Sequence, residues 1–179
     1  NTTGSLAYTP VSDANGSAVI TVTVTDDGGT ANSGVNTTTT TFTVAVTAVN
    51  DAPVIDAISN PSAILEDVGA QTINLAGIGD GDADVVQAIT SVTATSNNTS
   101  LIPNPTVVYT SDAATGSLTY TPVSNANGSA VITVTVTDNG GTSNSGADDT
   151  ITKTFTVAVT AVNDVVTLTS AIADYTVLE

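Results

Sequence analysis

The chain has 179 residues, a formal net charge of −16, a single Lys or Arg, 17 Asp plus Glu, and no His, Cys, Met or Trp. That inventory excludes an imidazole base, a thiolate nucleophile and a zinc–thiolate site. With Lys153 as its only basic side chain, the chain cannot grip phosphate or draw on counterion release from nucleic acid, and an anionic membrane surface repels it.

The residues are 40% hydrophobic but only 3% aromatic, and threonine is abundant. β-Branched residues at this density favour strands over helices. No run reaches the roughly 18 apolar residues that span a bilayer, so no membrane insertion is expected in this segment. There is no initiator Met and no secretory leader, which reads as an interior piece of something longer.

An internal repeat sets the organisation. GSLAYTPVSDANGSAVITVTVTDDGGTANSG from Gly4 is matched by GSLTYTPVSNANGSAVITVTVTDNGGTSNSG from Gly116, and TFTVAVTAVND from Thr41 recurs from Thr154. The period of about 110 residues is that of tandem domains, not of a short solenoid unit. After Asp51 and after Asp164 the chain runs on to Leu-Glu pairs, ending at Glu66 and Glu179. Three units follow: the carboxy-terminal half of one repeat over 1–51, a complete repeat over 52–164, and the first strand or strands of a third over 165–179.

In chain order, strands are predicted at Pro53–Ile58, Ala63–Glu66, Gln71–Ala76, Ala88–Ala94, Thr106–Tyr109 and Ser117–Thr121. Two longer strands show a period of two: Ile132, Val134 and Val136 alternate with threonines, as do Phe155, Val157 and Val159. Asp80–Gly81, Asn127–Gly128 and Asn139–Gly141 supply turns. About seven strands per repeat without helical periodicity predict an all-β fold of tandem β-sandwiches. Phe42 repeats as Phe155 and Tyr8 as Tyr120. They read as core anchors in preference to a sugar-stacking platform.

The carboxylates cluster. Asp80, Asp82 and Asp84 lie in one Gly-rich loop, Glu66 and Asp67 close an apolar segment, Asn50 and Asp51 mark the seam, and Asp138 opens an Asn-Gly-Gly loop. An aligned sandwich is expected to gather all of them at one junction. Two carboxylates about 4 Å apart repel by roughly 1 kcal/mol in water and several-fold more near a protein surface. Such a group calls for a cation, and hard oxygen donors without imidazole or thiolate select calcium. The competing reading is a solvated acidic rim that serves solubility. Paired carboxylates could also cleave a glycoside, but these lie in wet Gly-rich loops without an aromatic cleft, so no enzyme is expected.

The VTDNGGTSNSG loop, the closing TFTVAVTAVND and the Val49–Pro53 linker resemble the back half of cadherin-type domains. They resemble more closely the cadherin-like and Ig-like tandem repeats of large bacterial surface proteins and adhesins. The resemblance covers essentially the whole chain. It implies calcium bound between successive domains, with Asn50 and Asp51 of the linker, Glu66 of the first strand, Asp80 and Asp82 after the second, and Asp138 of the Gly-Gly loop as metal ligands. Ala48 and Ala161 replace the first linker Asp of that pattern, and the Leu-Asp-Arg-Glu ligand segment is missing. One or two ions per junction are therefore expected in place of three.

The function so implied is a spacer in a long extracellular bacterial surface fibre, with neighbouring repeats of the same chain as its partners. The alternatives are repeats that themselves bind a glycan, a host cell surface or neighbouring fibres, or a filament assembled by strand exchange.

Overall fold

A computed structural model describes all residues except 1, 2, 84, 147, 148, 169, 171 and 178. Nine strands follow in chain order: β1 (Gly16–Thr25), β2 (Thr37–Val46), β3 (Ile64–Leu65), β4 (Gln71–Ala76), β5 (Ile89–Ser96), β6 (Thr106–Val108), β7 (Thr115–Tyr120), β8 (Gly128–Asp138) and β9 (Thr150–Thr160). No helix among the described residues is long and apolar enough to cross a membrane.

The last seven strands make a two-layer sandwich. One sheet has the order β3-β9-β8-β5 and the other β4-β7-β6. All pairings are antiparallel except β3 with β9. The period-two pattern does what the sequence predicts. Along β8, Ala130, Ile132, Val134 and Val136 point inward, and along β9 so do Phe155, Val157 and Val159. Leu75, Leu118 and Tyr120 meet them from the facing sheet, while Leu101 and Ile102 plug one end from the loop after β5. Each such side chain contributes about 1.5–3 kcal/mol by leaving water. Burial also raises the Tyr120 hydroxyl pKa.

One expectation needs correction. Pro53–Ile58 is not a strand but a crossing segment. It makes a single bridge between Val54 and Gly79, then Asp56 N donates to Ala76 O (3.0 Å). It next passes to the other sheet, where Asn60 Oδ1 accepts from Thr156 N (2.7 Å). Pro53 and Pro61 lack the donors that a continuous ladder needs. At the other end, the described residues of 165–179 form no strand. Val165, Val166, Leu168, Ile172, Tyr175 and Val177 are exposed.

Among the described residues β1 and β2 pair with each other alone, in the register Ile20↔Phe42 that repeats Ile132↔Phe155 of the complete unit. The turns repeat as well. Asn32 and Asn144 both take positive φ, as do Gly29 and Gly141, both at 73°.

Candidate metal centre

β8 and β9 carry Asp138 and Asp149 to one end of the sandwich, where Asp138 N donates to Asp149 O (2.9 Å). The loop after β8 turns back at once, and Gly140 N caps Asp138 Oδ1 (2.9 Å). Asp138 is only 2% exposed, and its second oxygen, Oδ2, is buried with no hydrogen-bond partner. Its pKa is raised, first by burial and then by the neighbouring charges of Asp149, Asp80 and Asp82, against the Gly140 hydrogen bond that lowers it.

The Gly-rich loop after β4 brings Asp80 and Asp82 to the same place through Gln87. The Gln87 backbone N donates to Asp80 Oδ2 (2.8 Å), and its side-chain Nε2 to Asp82 Oδ2 (2.7 Å). Those bonds aim Gln87 Oε1 inward, where it too is buried without a hydrogen-bond partner. Asn50 of the linker lies buried beneath the β8–β9 loop, against Gly146. A Cβ at Gly140 would land on both Asn50 Oδ1 and Gln87 Oε1, so the two amide oxygens converge on one point. Gly81 is held equally close, by the Ala52 carbonyl, at a φ of 78° that favours glycine. Asp51 follows Asn50 half-buried. Asp84 lies outside the described residues.

Asn50, Asp80, Asp82 and Asp138 are thus brought together with Asp51 alongside; Glu66 is not. Glu66 N donates to Thr160 O (2.9 Å) and Glu66 Oε1 accepts from Val162 N (2.7 Å), at the far end of β9. Eleven residues of β9 separate the two ends, about 33 Å of strand. Asp67 goes with Glu66, its Oδ1 accepting from Asn125 N (3.0 Å). The single acidic junction expected from sequence is therefore divided between the two ends of one domain. The reason is the parallel pairing of β3 with the last residues of β9.

Gln87 and Asp149 were missed by sequence reasoning. Gln87 is one of two glutamines, placed just past the acidic loop among apolar residues; that isolation was the available signal. Asp149 could be found only from the β8–β9 register. Among the described residues, no three carboxylates form a group that could hold a metal ion by themselves. The donor set at this end is instead mixed: the carboxyl groups of Asp80, Asp82 and Asp138 with the amide oxygens of Asn50 and Gln87. Oxygen-only, charge-rich and irregular, it fits the chemistry of calcium better than that of a softer metal.

A seven-stranded, two-sheet sandwich, antiparallel but for β3 beside β9, with its polar site in the end loops is an immunoglobulin-like domain. The family model of the bacterial Ig domain matches residues 50–152, more than half of the chain, and the chain belongs to that family. No curated protein matches it. Among solved structures it is similar to domains 4 and 5 of the S-layer protein SbsC, at 18% identity and a TM-score of 0.37. That match covers 81% of this chain and 65% of the other, a likeness too slight to carry an argument.

Proposed function

We propose that the chain is a spacer repeat of a long extracellular bacterial surface fibre, stiffened by calcium where one repeat meets the next. The ion-binding end is the one built from Asn50, Asp51, Asp80, Asp82, Gln87 and Asp138. A complete repeat is bounded by the seams after Asp51 and after Asp164, so successive units follow one another along a rod. Near-identical neighbouring copies suit a stalk, in which no unit needs a ligand pocket of its own.

The observation that carries the calcium reading is Asp138. Its Oδ2 is buried without a hydrogen-bond partner, and its pKa is raised by that burial first and by the neighbouring carboxylates after it. An anionic oxygen in that position is costly unless a cation compensates it. Asn50 comes from the linker itself, so a cation held jointly by Asn50 and Asp138 would lock the linker to the domain and limit bending at the seam. Glu66, at the opposite end, belongs on this reading to the next junction, beside Asn163 and Asp164. Catalysis has no place in the proposal.

The test is the thermal melt of the 179-residue chain in calcium and in chelator, with calcorimetric titration of the ion. Calcium at a hundredfold excess over its dissociation constant should add about 2.7 kcal/mol of stability. Asp80→Ala with Asp82→Ala should remove that increment, so that calcium no longer raises the melt above its value in chelator, a value that itself falls because Gln87 N and Nε2 lose their acceptors. A melt indifferent to chelator would overturn the calcium reading.

A further inference from the structure

The chain contains three Asn-Gly steps, Asn15–Gly16, Asn127–Gly128 and Asn139–Gly140. At such a step the glycine backbone N can attack the asparagine amide carbon and close a small imide ring. No Cβ on the glycine hinders the approach, and both groups belong to one chain. What sets Asn139–Gly140 apart is the surroundings of the reacting atoms.

The nucleophile is Gly140 N, whose N–H donates to Asp138 Oδ1 (2.9 Å). A carboxylate oxygen thus stands on the proton that must leave. The electrophile is Asn139 Cγ, and Asn139 Oδ1 accepts from Ala88 N (3.0 Å). That N–H comes from the chain just before β5 and points at the oxygen on which negative charge develops during attack. The fold, not the dipeptide, brings this oxyanion donor to the step. Asn139 is exposed and open to water.

Asn127–Gly128 is the comparison within the same domain. Asn127 is exposed as well. Among the described residues, however, its side chain makes no hydrogen bond and no carboxylate accepts from Gly128 N. Gly128 instead opens β8, in register with Val159.

We propose that Asn139–Gly140 is a self-modification site, at which the folded chain converts the Asn139 amide through a succinimide into an aspartyl or isoaspartyl residue. Gly140 N bonds to Asn139 Cγ while Asp138 Oδ1 takes its proton. The Cγ–Nδ2 bond then breaks, and Nδ2 leaves as ammonia with that proton. Water adds to one of the two imide carbonyls and opens the ring. Opening at Cγ leaves an ordinary aspartyl residue. Opening at the main-chain carbonyl leaves the backbone running through Cγ, one methylene longer.

The two products act differently on the loop. The first copy carries Asp27 at this place, and its Gly28 N still donates to Asp26 Oδ1 (2.9 Å). The aspartyl product therefore reproduces a loop that the repeat already uses. The isoaspartyl product lengthens the backbone beside Gly140, where even a Cβ would collide with Asn50 and Gln87. It would push the linker residue Asn50 out of its seat. This inference does not depend on calcium.

The test incubates the 179-residue chain in chelator at mildly alkaline pH, folded and in urea, and follows Asn139 and Asn127 by peptide mapping with mass spectrometry. In the folded chain Asn139 should convert at least about tenfold faster than Asn127, given a positioned general base. In urea the difference should disappear. Asp138→Asn keeps an acceptor for Gly140 N but cannot take its proton, and should bring Asn139 down to the rate of Asn127. Circular dichroism reports whether that variant is folded, and the comparison of folded and urea-treated native chain decides the matter without it. Three results overturn the proposal: Asn139 converting no faster than Asn127 in the folded chain; an advantage of Asn139 that persists in urea, which assigns it to neighbouring sequence alone; or a folded Asp138→Asn chain in which Asn139 keeps its rate.

Discussion

Phe42 and Phe155 hold the same place in the repeat and differ in exposure within this 179-residue stretch. Phe155 is sealed between sheets and Phe42 is open to water on one side. Phe155→Ala should therefore cost about 3–5 kcal/mol, from lost transfer free energy and the cavity left behind. Phe42→Ala should cost under about 1 kcal/mol, the usual range for a surface position. Chemical denaturation of both variants, following the main cooperative transition, checks the contrast.

Gly140 is held by space rather than by φ. A Cβ there meets Asn50 Oδ1 and Gln87 Oε1 together, so Gly140→Ala should destabilise the domain by about 1–3 kcal/mol through overpacking. It should also weaken calcium binding in the same titration.

Asp138 gives a pH dependence whose sign is fixed by its raised pKa. In metal-free protein the folded state holds the Asp138 proton more tightly than the unfolded chain does. The stability from this group is full below the unfolded carboxylate value and is lost as pH rises through the folded one. Chelated protein should therefore gain stability from this group as pH falls through that window, while any calcium increment disappears there because the ligand is protonated. Asp138→Asn keeps an acceptor for Gly140 N and removes the charge. It should raise the metal-free melting temperature near neutral pH, flatten this part of the pH profile and abolish the response to calcium.

At the scale of elements, the position of β3 decides which acids meet. It pairs with β9 for only two residues, Ile64↔Val159 and Leu65↔Thr160, yet those pairs send Glu66 to the exit of the domain. Glu66→Ala would leave Val162 N without its acceptor, at a cost of about 1–3 kcal/mol. The variant should keep calcium affinity at the Asn50 end, about 33 Å away along the strand. Parallel titrations of Glu66→Ala and of the Asp80→Ala, Asp82→Ala pair separate the two ends. The crossing segment after Pro53 is the other element that a list of short apolar runs mistakes. Val54 and Ile55 look like a strand, but the segment serves both sheets in succession and completes a ladder with neither.

For the molecule as a whole, the sequence alone determined the β class, the repeat, the long strands β8 and β9, and the loops that carry Asp80, Asp82 and Asp138. It could do so because these features rest on local periodicity, turn chemistry and self-similarity, which need no knowledge of neighbours. Strand β8 is the clearest case, since its alternation already marks Ala130, Ile132, Val134 and Val136 as the buried face. Only the tertiary structure decided that Glu66 and Asp67 stand at one end and Asp80, Asp82 and Asp138 at the other, that Gln87 ties two carboxylates together, and that Asp149 joins them. Those facts depend on pairing between strands far apart in sequence. A shift of one strand end relates or separates side chains by tens of ångströms while leaving every local pattern unchanged.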